Sequence, residues 1–197
     1  MSSVGHMADP SSRIRLRDPS AMRALAHPTR LRLLGELRAR GPQNVGMLSE
    51  VVDEAPGSVS YHLTTLAKHG FVEEAPELAP SGRERWWRAA HARTVWDRVE
   101  TLDDPERRLA ADMMQRTILA RWVQKLEHYL DVEPTLDREW IAAAAGSDAI
   151  MHLTADELAE LRSELEAVAA RWSARSNPNR PGAAQVTMLH FGFRSDV

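Results

Sequence analysis

Two helical patterns separated by a short break, within residues 27–72, constrain the fold of this chain more than any other feature. The second pattern begins at Pro56 and ends before Gly70, two residue types that suit the first turn of a helix and the position just after its end. Its apolar side chains follow the i, i+4, i+7 spacing of one buried stripe: Val59, Leu63 and Leu66. The opposite face is then open and carries Gly57, Ser58, Tyr61, Thr64, Thr65 and Lys68.

The flanking segments have equally clear boundaries. Asp18 can cap a short helix, Pro28 begins the next one, and Asn44 can cap a third. Residues 71–75 and 84–90 have the composition of two strands, joined by a link rich in proline, serine and glycine. Helices followed by a β-hairpin predict a winged helix-turn-helix, in a chain that is mainly α with small β.

Three stretches carry a resemblance to a known family: residues 25–34 (LAHPTRLRLL), 58–63 (SVSYHL) and 66–72 (LAKHGFV). They are similar to the winged-helix domain of the ArsR-type bacterial transcriptional regulators, over residues 18–91. The resemblance implies a homodimer that binds a palindromic double-stranded DNA operator and usually represses. It also implies that four side chains lie at or near the DNA: Ser58, Ser60, Tyr61 and His62.

The open face of the second helix and the hairpin extend this candidate DNA-binding set. A face of small polar, aromatic and basic side chains suits the major groove, which adds Thr64, Thr65 and Lys68. At the hairpin, alternation places Arg83 and Arg85 on one face, with Trp86 and Ala90 toward the core. Wing arginines commonly contact phosphates or the minor groove. The two tryptophans, Trp86 and Trp87, are interpreted as packing residues.

The charge is unevenly distributed along the chain. The net charge is −3, but residues 1–95 carry 13 basic and 10 acidic side chains, so the basic half is the one with the helix-turn-helix. Residues 13–17 (RIRLR) alternate basic and apolar side chains, which predicts a short strand or extended arm. The arm could lay its arginines along DNA, or it could pack Ile14 and Leu16 on a partner subunit; we favour the second interpretation.

Beyond residue 95 a long amphipathic helix is predicted over residues 105–130. Its apolar side chains recur every three or four residues: Leu109, Met113, Met114, Ile118, Trp122, Leu126 and Tyr129. Such a helix after a winged helix is typical of a dimer interface. The sequence therefore predicts residues 1–12 as a flexible N-terminus, 13–95 as the DNA-binding domain and 96–132 as a dimerisation helix, helped by the N-terminal arm.

A small α/β C-terminal effector or interaction unit is predicted for residues 133–197. An apolar run at 149–153 precedes a capping box at Thr154, which opens a helix, and residues 185–193 form a second strand-like run. Four aromatic side chains are candidates for an apolar small-molecule pocket: Trp122, Tyr129, Trp140 and Phe191. The alternative, which we favour, is that these side chains only build the core of a small domain.

Several classes of function are disfavoured. The chain has no cysteine, so a thiolate metal site is excluded, and its eight histidines form no ligand pair at helical spacing. No catalytic motif is found, so no catalytic residue, metal or cofactor is predicted. With no long apolar run or signal peptide, we expect a cytoplasmic, nucleoid-associated protein. The main alternative is a protein-interaction module that uses the same fold without reading DNA.

Overall fold

The structure is a computed structural model that describes residues 12–79, 84–144 and 146–196. The chain divides into two compact units, Met1–Glu127 and His128–Val197. The predicted flexible N-terminus, apart from Ser12, lies outside the described residues.

Helices dominate the first unit, and their ends follow the caps expected from the sequence. The helices are α1 (Pro19–Leu25), α2 (Pro28–Arg40), α3 (Val45–Val52), α4 (Pro56–Lys68), α5 (Val99–Leu102) and α6 (Pro105–Val132), the last of which runs into the second unit. The Asp18 carboxylate accepts the Ser20 N–H, and the Asn44 side chain accepts the Met47 N–H, so each satisfies a free donor at a helix start. Gly70 has a φ of +71°, the left-handed conformation predicted after α4.

Five short strands complete the first unit. They are β1 (Arg13–Leu16), β2 (Gln43–Asn44), β3 (Val72–Glu74), β4 (Trp86–Ala89) and β5 (Arg93–Trp96). The strands β2, β4 and β3 form an antiparallel sheet in that order, with Gln43 opposite Trp87 and Val72 opposite Ala89. The β3–β4 hairpin after α4 confirms the predicted order of helices followed by a hairpin.

The side chains of β4 that face the core are shifted by one residue from the prediction. Trp87 and Ala89, not Trp86 and Ala90, are the buried side chains of β4. The cause is the position of α2, which packs against β4 on the face that carries Trp87 and Ala89.

The N-terminal arm packs on its own domain. The strand β1 pairs in parallel with β5, from Arg13 opposite Arg93 to Leu16 opposite Trp96. Leu16 is buried in the core and Ile14 packs against it, so the prediction that these two side chains pack on a partner subunit is wrong. Parallel pairing with β5 satisfies the arm's backbone within the chain, which the alternation alone could not reveal.

The long helix α6 has two apolar faces where the sequence predicted one. Ala110, Ala111 and Met114 are buried in the core of the first unit, and Ile118 packs against it. A second set of apolar side chains on α6 is exposed: Leu109, Met113, Leu119, Val123, Leu126 and Leu130. We call this second set the α6 stripe. At about 100° per residue its members lie on the side of the helix opposite Met114 and Ile118.

The second unit contains α7 (Arg138–Ala143) and α8 (Ala155–Ala174). Thr154 and Glu157 form the predicted capping box at the start of α8. The predicted strands at 149–153 and 185–193 are not formed, so the described part of this unit is helical rather than α/β. A strand exists only when its backbone pairs with a neighbour, and these two runs do not pair with each other.

Candidate nucleic-acid interface

The helix α4 is held rigidly from one side. Val59, Leu63 and Leu66 are fully buried, as their spacing predicted, and Phe71 just beyond the helix is buried with them. Pro56 occupies the first turn, where its missing N–H has no intrahelical partner to lose. These three helix side chains span about two turns of α4 and are fixed in the core, so the opposite face of α4 has a defined orientation.

That opposite face is accessible as predicted. Tyr61 is 68% exposed, and Thr64 and Lys68 are also exposed, while Ser60 and Thr65 are half-buried. The Thr64 and Thr65 hydroxyls donate to the Ser60 and Tyr61 carbonyl oxygens, each over 2.9 Å. Their oxygens therefore remain available as acceptors toward a ligand. The face combines one large aromatic side chain, hydroxyl groups and one cation, which are groups that can contact base edges and phosphates.

Two of the predicted residues lie behind this face. His62, predicted to lie at or near the DNA, is only 7% exposed, so its side chain is buried behind the accessible face rather than on it. The Ser58 hydroxyl donates to the Glu54 carboxylate over 2.6 Å, and the His62 Nε2 atom lies 3.6 Å from that same carboxylate. Both side chains therefore serve the packing of α4 on its neighbours.

Glu54 joins α2 to the start of α4. It precedes α4, accepts a hydrogen bond from Thr29 on α2 over 2.5 Å, and accepts the bond from Ser58 on α4. The Ser58 and Thr29 hydrogen bonds lower the pKa of the Glu54 carboxyl group. The position of α4 relative to α2 thus depends on a carboxylate that sequence reasoning missed. The available signal was the spacing of four between Glu54, Ser58 and His62.

The ring of His27, at the start of α2, lies 4.6 Å from the ring of His62. Burial is the main cause that lowers the pKa of both histidines, and the nearby Arg30 adds to it. Folding therefore favours their uncharged forms. With Glu54, the two histidines form what we call the α2–α4 cluster.

The described base of the wing is partly occupied by internal ion pairs. Arg85 pairs with Glu74 over 2.5 Å, and its guanidinium lies 4.8 Å from the Trp87 ring centre. Arg88 pairs with Glu73 over 2.7 Å and also with Glu77. Arg85 keeps about half of its side chain exposed, so it remains at the surface. Arg83 lies outside the described residues.

The aromatic residues predicted for a ligand pocket are distributed along the chain. Trp122 belongs to the first unit and is half-buried on α6, whereas Tyr129 donates a hydrogen bond to Glu133 over 2.7 Å. Trp140 is half-buried on α7. Within the second unit, Phe191 lines an open groove of about 400 Å³ along α8, together with Leu158, Leu161, Leu165 and His190.

Comparison with known proteins identifies the part of the chain built around α4. Residues 25–75 match the family model of a helix-turn-helix domain. No curated protein matches the chain. The matched residues span from the end of α1 to just after β3, and therefore include the α2–α4 cluster and the exposed face of α4. A helix-turn-helix domain supports a role in DNA-binding transcriptional regulation.

Two further properties of the described residues bear on this role. They hold no group of three His, Cys, Asp or Glu side chains arranged to bind a metal ion. None of their helices is both long and apolar enough to cross a membrane.

Proposed function

We propose that the protein is a homodimeric transcriptional repressor of the ArsR type, which binds a palindromic operator through α4 and the wing. The observation that carries this proposal is the exposed row of Tyr61, Thr64 and Lys68 on a helix whose other face is fully buried. In helix-turn-helix proteins the second helix of the motif enters the major groove with such a face. The role is binding rather than catalysis.

The homodimer is supported by the α6 stripe. The helix has 28 residues, but its buried side chains all lie in its first ten positions. Leu119, Val123 and Leu126 are about half exposed, which is costly for a row of large aliphatic side chains in water. A second copy of α6 could cover this row, because a self-complementary stripe suits a two-fold axis. Two recognition helices would then read two half-sites about one DNA turn apart.

Selection of bound duplexes from genomic fragments, followed by mobility shifts over a range of salt, tests the DNA-binding part. We expect a palindromic duplex to be bound with one dimer per site, and the affinity to fall as salt rises. A protein that binds no fragment above the level of random DNA would instead favour the protein-interaction alternative. Repression requires that the selected site overlap a promoter and lower its transcription.

We propose further that any effector is an apolar or aromatic small molecule rather than a metal ion. The groove along α8 supports this, since Leu158, Leu161 and Leu165 line one wall and Phe191 another. Such a ligand could release DNA only by binding the DNA-free conformation more tightly.

The effector proposal is tested by filling the groove. A compound from an aromatic panel that weakens operator binding should lose this effect in Leu161→Trp, which narrows the groove. An equal effect on both proteins would place the effector elsewhere. Zinc, nickel or copper at one equivalent should leave the affinity unchanged, and a tenfold loss reversed by chelator would overturn the proposal.

A further inference from the structure

Arg30, which was not among the predicted DNA-binding residues, lies beside the exposed face of α4. It is the third residue of α2, one helical turn after His27, so the two side chains leave the same side of that helix. That side faces α4, since the His27 ring packs on His62 and the neighbouring Thr29 reaches Glu54. Arg30 is half-buried between these elements.

The electrostatic neighbours of Arg30 locate its charge along α4. Burial lowers the pKa of the Arg30 guanidinium, and the nearby Tyr61 side chain opposes this effect. Burial likewise lowers the pKa of His69 at the end of α4, with further lowering from Lys68 and Arg30. Arg30 therefore lies close enough to interact with Tyr61, His62 and His69, and hence next to the row that ends at Lys68.

Arg30 has no anionic partner among the described residues. Other arginines of the first unit do: Arg23 pairs with Glu106, Arg85 with Glu74 and Arg98 with Asp112. The Arg30 Nε atom is buried and has no hydrogen-bond partner. A partly desolvated guanidinium without an anion is costly, and a nearby phosphodiester oxygen would compensate its charge, although it would not reach the buried Nε atom.

We propose that Arg30 binds a DNA backbone phosphate at the edge of the groove that α4 enters. The proposal rests on the proposed DNA binding and deepens it, because it places a phosphate contact on α2 rather than on α4 or the wing. A guanidinium is suited to this contact, since it remains charged when partly buried and can present two N–H donors to one phosphate. Tyr61 and Arg30 would then contact a base and the adjoining backbone, respectively.

The test compares the salt dependence of binding to a short mixed-sequence duplex for wild type, Arg30→Gln, Arg30→Lys and Arg40→Gln. Arg40 is the matched control, because it is exposed at the opposite end of α2 and pairs with Glu36. We expect the slope of log K against log salt to fall by about 0.9 per binding domain in Arg30→Gln. Arg30→Lys and Arg40→Gln should keep the wild-type slope.

If the folded Arg30→Gln variant keeps the slope of the wild type, the inference about Arg30 is overturned. If the wild-type protein itself shows no salt-dependent DNA binding, the proposed function is overturned instead. A second test needs no variant: arginine side chains are modified with phenylglyoxal, with and without DNA, and the modified positions are identified by peptide mapping. DNA should slow modification of Arg30 in the wild-type protein and leave that of Arg40 unchanged. Equal modification of Arg30 with and without DNA would also overturn the inference.

Discussion

Replacement of Tyr61 by alanine should separate sequence recognition from stability. The side chain is 68% exposed, and its backbone carbonyl keeps the Thr65 hydrogen bond in the variant. Substitutions at such positions usually change the free energy of unfolding by less than about 0.5 kcal/mol. Alanine also has the higher helix propensity. We therefore expect Tyr61→Ala to melt within a few degrees of the wild type, or slightly above it.

The effect on operator binding should be much larger. Loss of a good base contact costs about 1–3 kcal/mol, which corresponds to roughly 5- to 150-fold in affinity for each half-site. Binding to random DNA depends mainly on phosphate contacts and should change little. The ratio of operator to random affinity, measured by titration at one salt concentration, therefore reports the contribution of this side chain.

Tyr61→Phe separates the contribution of the Tyr61 hydroxyl to specificity from that of its ring. If the hydroxyl donates to or accepts from a base, Tyr61→Phe should lose most of the specificity that Tyr61→Ala loses. If the ring packs against a thymine methyl group, Tyr61→Phe should keep it. Equal losses on operator and random DNA in Tyr61→Ala would refute the argument that the exposed face of α4 reads bases.

Two further predictions concern assembly and pH. Val123→Glu should weaken the dimer at least tenfold, as measured by sedimentation, because it buries a carboxylate in the α6 stripe. The control Gln124→Glu, on the same helical turn but outside the stripe, should leave the dimer affinity unchanged. Equal effects of the two substitutions would contradict a dimer through this stripe. Burial lowers the pKa of His27 and His62 below the unfolded-state pKa of about 6.5. The stability that these two side chains contribute is therefore present above about pH 6.5, and it is lost as the pH falls through their pKa values in the folded protein. The Tm should therefore fall from about pH 7 to 5, and His62→Gln should flatten that fall; an unchanged pH slope in the variant would argue against the buried neutral histidines.

Local rules predicted much of the helical part of the fold. Caps at Asp18 and Asn44, the proline at position 56 and the left-handed glycine at position 70 each depend on a few neighbouring residues. The buried stripe of α4 also follows from one helix alone. These features could be predicted because their energies are set within one or two turns of the chain.

Features that depend on distant pairing could not be predicted. The strand β5 exists because β1 lies beside it, although 80 residues separate Arg13 from Arg93. The α2–α4 cluster likewise joins His27, Glu54 and His62 from three parts of the chain. In α6 the spacing was correct, but one list of apolar residues combined Met114 and Ile118, which face the core, with Leu109, Met113 and Leu126, which do not. Only tertiary packing separates these two faces.

Affinity and specificity are carried by different elements in the proposed interface. Tyr61 lies on α4, Arg30 on α2 and Arg85 before β4, so the proposed contacts to a base, to the backbone and by the wing come from three segments. The position of Tyr61 relative to Arg30 depends on Glu54, whose carboxylate joins α2 to the first turn of α4. A change at Glu54 should therefore disturb base and phosphate contacts together, whereas a change at Tyr61 or Arg30 should affect only one kind. This difference follows from where the side chains are anchored, because a recognition helix can read bases only while the surrounding phosphate contacts fix its orientation in the groove.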